Sequence, residues 1–435
     1  MSFAFVIDIN SVNIVIALTV LILTFIFIST EKLPNAIAAM TGGFLLIVFR
    51  IVTQEEAVEF IDFDTVGLLT GMMISVAVMR KSGLFEYIAI KGIKLTGGNP
   101  WKILVVLSIV TAVLSAFLDN VTTVLIIVPL TFAVAEAIRI NPLPILISEI
   151  MFSNIGGAAT LIGDPPNIMI GGATHLDFLD FISNNLPVTV LVSIVTFMLL
   201  RLIYYRKLMA IVVEKERIEA FDETKVIEDK KLFTISLVVF SLVIMAFVTH
   251  QLHEISLASV ALGGGFVMML ATRQDPEEIL KEVEWPTLFF FLGLFVIVGG
   301  LEKTGVIGIV AVKMVELSEG EITYATQLVL WVSALSTTVI NSIPFTATMI
   351  SVIRDMEAIM PGNIDPLWWA LSLGACLGGN GTIIGAAANI IVAGFSQKTR
   401  YPLRFAEYLK VGLPLMFVSI IIVSGYLFLK YGLLR

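Results

Sequence analysis

Long apolar runs, separated by short polar segments, make up most of the chain. The runs of the first half cover, in order, about 10–29, 33–52, 64–80, 101–118, 121–139, 144–175 and 185–205. An α-helix of about 20 apolar residues crosses a hydrocarbon layer of roughly 30 Å. The runs are continuous, whereas the strands of a membrane β-barrel alternate between apolar and polar positions. The pattern therefore predicts an all-α polytopic membrane protein.

The pattern of the first half recurs in the second half. One constant offset in the numbering pairs Gly42 with Gly264 and continues without a gap as far as position 168. The same offset superimposes TLIGDPPNI (160–168) on TIIGAAANI (382–390). Chance matches of glycine and apolar residues would not keep one offset over such a length, so we infer an internal duplication.

Two features interrupt the simple series of crossing helices in each repeat. In the first repeat, two short apolar runs meet at Asp119 and are predicted to form a re-entrant hairpin. The run at 144–175 contains glycines and prolines, which predict a broken helix. Each repeat then crosses the membrane about five times, and an odd number inverts the second repeat relative to the first. The predicted boundaries are 1–206 for the first repeat (hairpin about 101–139, broken helix about 144–175), 207–231 for a cytoplasmic linker, and 232–435 for the second repeat (hairpin about 323–360, broken helix about 367–395).

The charged residues favour this arrangement over its alternative. If both runs that meet at Asp119 crossed completely, each repeat would have six crossings and the repeats would be parallel. With five crossings, basic residues such as Arg80 and Arg139 fall on one side, and acidic residues such as Glu56 and Glu302 fall on the other. With six crossings, the basic and acidic loops still fall on opposite sides in the first half of the chain but not in the second half. The positive-inside rule places the basic side in the cytoplasm. We therefore expect an integral protein of the prokaryotic inner membrane with both termini outside.

The composition restricts the chemistry further. Only 14% of the residues are charged and the mean hydropathy is +0.98, whereas soluble domains carry roughly 25% charged residues. The net charge of −8 supplies no basic face for nucleic acid, which we do not expect as a partner. A single cysteine, Cys376, excludes an intramolecular disulfide and a cluster of thiolate ligands within the chain.

Polar residues at membrane depth mark the predicted site, because such residues are costly there and are usually functional. They lie at the hairpin tips and at the helix breaks, where the ends of helices expose unpaired backbone groups. The candidate ion-binding residues are Asp119, Asn120, Thr122, Thr123, Thr160, Asp164, Asn167, Asn341, Ser342, Thr346, Thr382 and Asn389. We expect no cofactor other than a bound Na⁺, for which the candidate ligands are Asn120, Asn167, Ser342 and Asn389.

The two repeats differ in charge at matching places. The first carries Asp119 and Asp164, and the second carries Asn341 and Ala386. Two carboxylates in a medium of low dielectric constant suit a proton or cation carrier. In the alternative interpretation, each aspartate only caps the helix that follows it. Asn341 and Asn389 likewise have an alternative role as structural amides. Two further acids, Glu136 and Glu149, are expected nearer the membrane face.

Two motifs, SAFLDNVTTVLIIVPLT (115–131) and EIMFSNIGGAATLIGDPPNIMIG (149–171), resemble one branch of the ion-transporter superfamily. This branch contains arsenite permeases, NhaD antiporters and P-protein-like members, with a citrate-transporter-like domain, and the P-protein-like motifs are the most similar. The resemblance implies a scaffold that forms a homodimer in the lipid bilayer and a transport domain that moves as an elevator. It also implies a small inorganic ion or small anion as substrate.

We predict a secondary active ion transporter, not an enzyme, with H⁺ or Na⁺ coupling and a site at the membrane midplane. The alternatives are an arsenite or anion efflux permease and an anion channel on the same scaffold. A dicarboxylate symporter is a more remote alternative, because Asp119 stands at a tip where related dicarboxylate transporters have Ser-Asn-Thr, and it repels an anion. An intramembrane aspartyl protease would require a GxGD run, and Leu161 stands in place of its first glycine.

Overall fold

The computed structural model describes residues 11–30, 32–210, 218, 223–227 and 229–433. Within these ranges the chain forms helices joined by turns and loops, without a β-strand. Eight of the described helices are long and apolar enough to cross a membrane. The predicted all-α polytopic fold is therefore confirmed. Parts of the predicted linker (211–217, 219–222 and 228) and the two ends of the chain, to which the prediction of external termini refers, lie outside the described residues.

The helices follow the same order in both halves of the chain. Those of the first repeat are α1 (Ser11–Thr30), α2 (Asn35–Val48), α3 (Gln54–Glu59), α4 (Phe63–Lys81), α5 (Leu84–Lys94), α6 (Pro100–Ser115), α7 (Asn120–Ala137), α8 (Leu143–Gly157), α9 (Pro165–Ala173) and α10 (Phe178–Met209). Those of the second are α11 (Lys230–Thr249), α12 (Leu257–Thr272), α13 (Pro276–Lys281), α14 (Trp285–Lys303), α15 (Val306–Leu317), α16 (Ile322–Val339), α17 (Ser342–Ile359), α18 (Asp365–Gly378), α19 (Ala387–Gln397) and α20 (Phe405–Leu427).

The constant offset seen in the sequence extends to the helix boundaries. Helices α4 and α14 begin and end at positions that this offset pairs, and so do α7 and α17. The outermost helices depart from it, since α11 begins before and α20 begins after the position that the offset predicts. The duplicated unit therefore runs from α1 to α10, with small length changes at its two ends.

Helix packing shows that the second repeat is inverted. A Cβ atom built at Gly71 on α4 would lie 2.2 Å from the carbonyl carbon of Ala261 on α12. Farther along, a Cβ atom at Gly265 would lie 3.0 Å from Cγ2 of Ile74, so the two helices are parallel. Helix α12 is the repeat equivalent of α2. Helix α4 follows α2 after the short helix α3 and runs back in the opposite direction to α2. Since α12 follows the direction of α4, it runs opposite to α2.

Two ion pairs between the repeats follow the same symmetry. Lys81 lies 2.8 Å from Glu278, and Lys303, its repeat equivalent, lies 2.6 Å from Glu56. The two glutamates are also paired by the constant offset. Such reciprocal contacts are the signature of a two-fold relation between two copies of one unit.

The helices pack as two groups. The scaffold group consists of α1, α2, α4, α11, α12 and α14. The hairpin group consists of α6–α10 and α16–α20, and α5 and α15 run between the two groups. Glycines allow close approach within both groups, as is common where helices pack in lipid. The cavity that contains the candidate site lies where the two groups meet.

Candidate functional site

A cavity of about 240 Å³ lies where helices from both repeats begin. The first repeat contributes Asp119, Asn120 and Asp164, and the second contributes Asn341 and Ser342. These residues lie at the beginnings of α7 and α17 and in the break before α9. Residues from the two halves of the chain thus share one cavity.

Four helices of the hairpin group begin at this cavity, namely α7, α9, α17 and α19. The first turn of a helix has backbone N–H groups without partners and a partial positive charge. The Asp119 carboxylate caps α7, accepting a 2.8 Å bond from the Thr122 amide and a 2.5 Å bond from its hydroxyl group. Asn341 caps α17 by accepting a 3.1 Å bond from the Ile343 amide. The capping role considered for Asp119 is therefore present, and it leaves the carboxylate at the cavity.

Asp164 behaves differently, although it also precedes a helix. Its side chain makes no capping bond to α9 within the described part of the chain. Instead, its Oδ1 accepts a 3.2 Å bond from Nδ2 of Asn120, which also donates to Asn154 at 3.2 Å. Asp164 is only 2% exposed. A buried carboxylate with so few partners is costly as a free charge, so the arrangement favours a bound proton or cation.

The two helix breaks are held by equivalent clamps. Nδ2 of Asn167 donates to the Thr160 carbonyl oxygen at 2.8 Å, and Nδ2 of Asn389 donates to that of Thr382 at 2.9 Å. The Thr160 hydroxyl group donates to the Ala116 carbonyl oxygen, which ties the first break to the first hairpin. The Thr382 hydroxyl group makes the equivalent bond in the second repeat, at 2.6 Å.

These clamps occupy the side chains that were candidates for ion binding. Oδ1 of Asn167 accepts a 2.6 Å bond from Ser372, and Oδ1 of Asn389 accepts a 3.0 Å bond from Asn154. Neither asparagine lines the cavity. The structure thus gives both a structural role and leaves Asn120 and Ser342 as the sodium candidates at the cavity.

Two predicted residues are buried close to the tips in sequence but do not line the cavity. Thr123 and Thr346 are both 0% exposed. Their hydroxyl groups have no hydrogen-bond partner among the residues that the structure describes. A buried hydroxyl group without a partner costs free energy. The described contacts therefore give no structural reason for a threonine at either position.

Glu149, which was expected nearer the membrane face, is enclosed within the hairpin group. This residue lies in the middle of α8, is 0% exposed and accepts a hydrogen bond from the Thr131 hydroxyl group. This burial has a structural cause, because α8 is buried along its whole length inside the hairpin group. The sequence of this helix is that of an ordinary membrane span and does not reveal such burial.

Glu284 and Thr287 also line the cavity, although the sequence pattern did not indicate them as candidates. They lie at the beginning of α14, in the scaffold group, and the Thr287 hydroxyl group donates to Oε2 of Glu284 at 3.0 Å. An acid just before a membrane span resembles an ordinary interfacial residue. Only its repeat equivalence to Asp62, another acid at the start of a span, could have drawn attention to it.

The family profile described as "Citrate transporter" matches residues 25–374. This chain belongs to the citrate transporter family. The transporter is 39% identical over 429 residues to an uncharacterized transporter of Mycobacterium tuberculosis, a match that covers 97% of this chain and 99% of that protein. It is 35% identical to the human P protein, covering 96% of this chain and 60% of the P protein. The predicted membership of the ion-transporter superfamily is confirmed, and the protein is a transporter rather than an enzyme.

The fold is also similar to that of a solved transporter. The crystal structure of the YdaH transporter from Alcanivorax borkumensis superimposes with a TM-score of 0.63 and covers 87% of each chain. The two sequences are 14% identical, so this similarity concerns the fold.

Proposed function

We propose that this member of the citrate transporter family is a secondary active transporter for a small ion, driven by H⁺ or Na⁺. The observation that carries the proposal is the cavity at which Asp119 and Asp164 meet the tip of the opposite repeat. Carboxylate, amide and hydroxyl oxygens from Asp119, Asn120 and Ser342 surround a space suited to a small cation. A proton bound to either carboxylate would serve the same purpose.

The charges at the cavity suggest how coupling works. Four helix beginnings favour a negative ion, whereas the two aspartates repel one. A cation or proton bound at the aspartates removes this repulsion and leaves the helix dipoles to attract an anion. The second candidate function is therefore symport of a small carboxylate anion with the cation, and the four helix beginnings are the observation that favours it.

We propose further that the hairpin group moves past the scaffold group and carries the site from one side of the membrane to the other. The two groups are separate packing units, joined through α5 and α15. The scaffold group exposes Phe44 (63%) and its repeat equivalent Phe266 (56%). An outer surface of this kind fits lipid and a second copy of the chain, and we propose a homodimer.

The test is a flux screen with the purified protein in liposomes. Uptake of Na⁺, Li⁺, H⁺, arsenite and citrate is measured with and without a pH gradient, and then in counterflow. We expect saturable flux of one substrate that follows an imposed H⁺ or Na⁺ gradient and shows counterflow. Conductance without counterflow would indicate a channel and would contradict the proposal.

A further inference from the structure

Two acid–threonine pairs occupy equivalent places at the ends of the scaffold group. Glu284 and Thr287 lie at the beginning of α14, and their repeat equivalents, Asp62 and Thr65, lie at the beginning of α4. In each pair the threonine hydroxyl group donates to the acid, at 3.0 Å in the first and 2.6 Å in the second. The duplication has thus preserved the same hydrogen-bonded acid–threonine pair at both ends of the scaffold group.

The two pairs meet different parts of the hairpin group. Glu284 and Thr287 line the cavity at the hairpin tips. Asp62 and Thr65 instead contact the far end of α9, where a Cβ atom built at Gly172 would lie 2.8 Å from Oδ2 of Asp62 and 2.7 Å from the Thr65 hydroxyl oxygen. At the equivalent glycine, Gly394, a Cβ atom would meet no described atom within 4 Å. The contact that α4 makes at Gly172 therefore has no counterpart between α14 and Gly394.

Neighbouring residues show the same asymmetry. Asn35 and Phe290 line the cavity at the tips. Their repeat equivalents, Leu257 and Leu68, line a second cavity beside Gly172. Equivalent surfaces of the scaffold group thus face the tips at one end and the end of α9 at the other. Among the main contacts between the groups, α4 packs on α9 whereas α14 packs on α17. Transporters built from inverted repeats alternate between two arrangements, and these unequal contacts are the ones that such a movement would exchange.

We infer that Glu284 and Asp62 supply, in turn, a third carboxylate to the cation site, one from each side of the membrane. In the arrangement described here, Glu284 faces the aspartates from the end that carries the Arg80–Glu282 ion pair. After the exchange, Thr287 contacts Gly394 as Thr65 now contacts Gly172, and Asp62 faces the hairpin tips. The distance travelled is that along α19 from Ala387 to Gly394, or about 10 Å at the helical rise of about 1.5 Å per residue.

The chemistry of this third carboxylate is that of a recruiting group for a monovalent cation. A negative charge at the mouth of a cleft raises the local concentration of cations. Because Glu284 and Asp62 belong to the scaffold group, each stays at its own side when the hairpin group moves, so each recruits cations from one side of the membrane only. The inference rests on the proposed function and adds the sidedness of cation entry.

The test compares Glu284→Gln and Asp62→Asn in everted and right-side-out membrane vesicles, with Na⁺ and H⁺ as the probe cations. Asparagine keeps the capping bonds that Asp62 makes to α4, and Glu284 makes no capping bond in the described chain. We expect E284Q to raise the half-saturating cation concentration about tenfold on the Arg80 side only, and D62N to do so on the opposite side only. The controls are Glu277→Gln and Glu55→Gln, an exposed and equivalent pair of acids. Equal changes on both sides, or none, would overturn the inference.

A second measurement does not depend on flux. Thr287→Cys with Gly394→Cys is treated with an oxidant in the presence and absence of the cation, and the native Cys376 is buried. We expect a disulfide that forms slowly, through the exchanged arrangement, and that stops transport until it is reduced. A chain that transports but never forms this disulfide would refute the exchange at Gly394. Wild-type protein without any coupled flux would instead refute the proposed function.

Discussion

At the first helix break the chain continues after Gly163 with Asp164, Pro165 and Pro166, whereas the second break continues after Gly385 with three alanines. The clamps on the two breaks nevertheless share the same bond from an asparagine amide to a threonine carbonyl oxygen. The duplicated unit therefore separates two tasks. Its backbone geometry is kept in both repeats, and its charge is kept in one.

The largest effect is expected from removing the charge that distinguishes the first repeat. Asp164→Asn and Asp119→Asn should each abolish coupled flux, because asparagine does not carry the negative charge that binds a proton or cation at the cavity. We expect a loss of at least about a hundredfold, which corresponds to about 3 kcal/mol. Asparagine at position 119 keeps the cap on α7, so the melting temperature should stay close to that of the wild type. Coupled flux in either variant, measured in liposomes, would contradict the assignment.

A charge transfer between the repeats tests the same contrast from the other direction. Asp119→Asn combined with Asn341→Asp moves the carboxylate to the equivalent tip, which also lines the cavity. We expect this double variant to recover part of the flux that D119N loses. Recovery would show that the cavity requires one carboxylate at either hairpin tip. If no flux is recovered, the carboxylate is required at position 119 in particular.

The clamps should matter equally in the two repeats. Asn167→Ala and Asn389→Ala each leave buried carbonyl oxygens without their donor, at a cost of about 1–3 kcal/mol per group. Thermal unfolding in detergent should show similar losses for both variants, with Gln397→Ala as a control that removes an exposed amide. A loss in only one variant would disprove the structural equivalence of the two clamps.

A further difference between the repeats is the bond between Glu149 and Thr131. The equivalent positions in the second repeat are Leu371 and Ile353. Glu149→Leu alone strands the threonine hydroxyl group and should cost about 1–3 kcal/mol, whereas the double variant with Thr131→Ile should recover much of this loss. Unfolding measurements on the single and double variants give the coupling between the two positions.

The smallest effect is expected at the ion pairs between the repeats. The hydrogen bond from Lys303 lowers the pKa of the Glu56 carboxyl group below its ordinary value. Stability from this pair is therefore present above the ordinary glutamate pKa and is lost as the pH falls through the lowered value. Glu56→Gln should destabilise slightly at neutral pH and not at all in acid. Because the pair is exposed, salt should weaken the effect at neutral pH.

Much of the fold was predictable because its signals are local or periodic. Apolar runs of membrane length and a constant offset between the repeats are properties of the chain itself. The convergence of Asp119 and Ser342 could be proposed because inversion brings equivalent tips together. The clamping role of Asn389 could not be separated from ion binding, since an amide offers the same atoms to a carbonyl oxygen, a hydroxyl group or a cation.

The helices, the duplication and the unequal charge of the repeats thus follow from the order of the residues alone. That Glu284 faces the tips while Asp62 rests near Gly172 follows only from the assembled molecule. Local sequence cannot make this choice, because the two repeats offer equivalent acid–threonine pairs to the hairpin group. The packing of whole helices against one another selects one arrangement, and that packing joins residues from opposite halves of the chain.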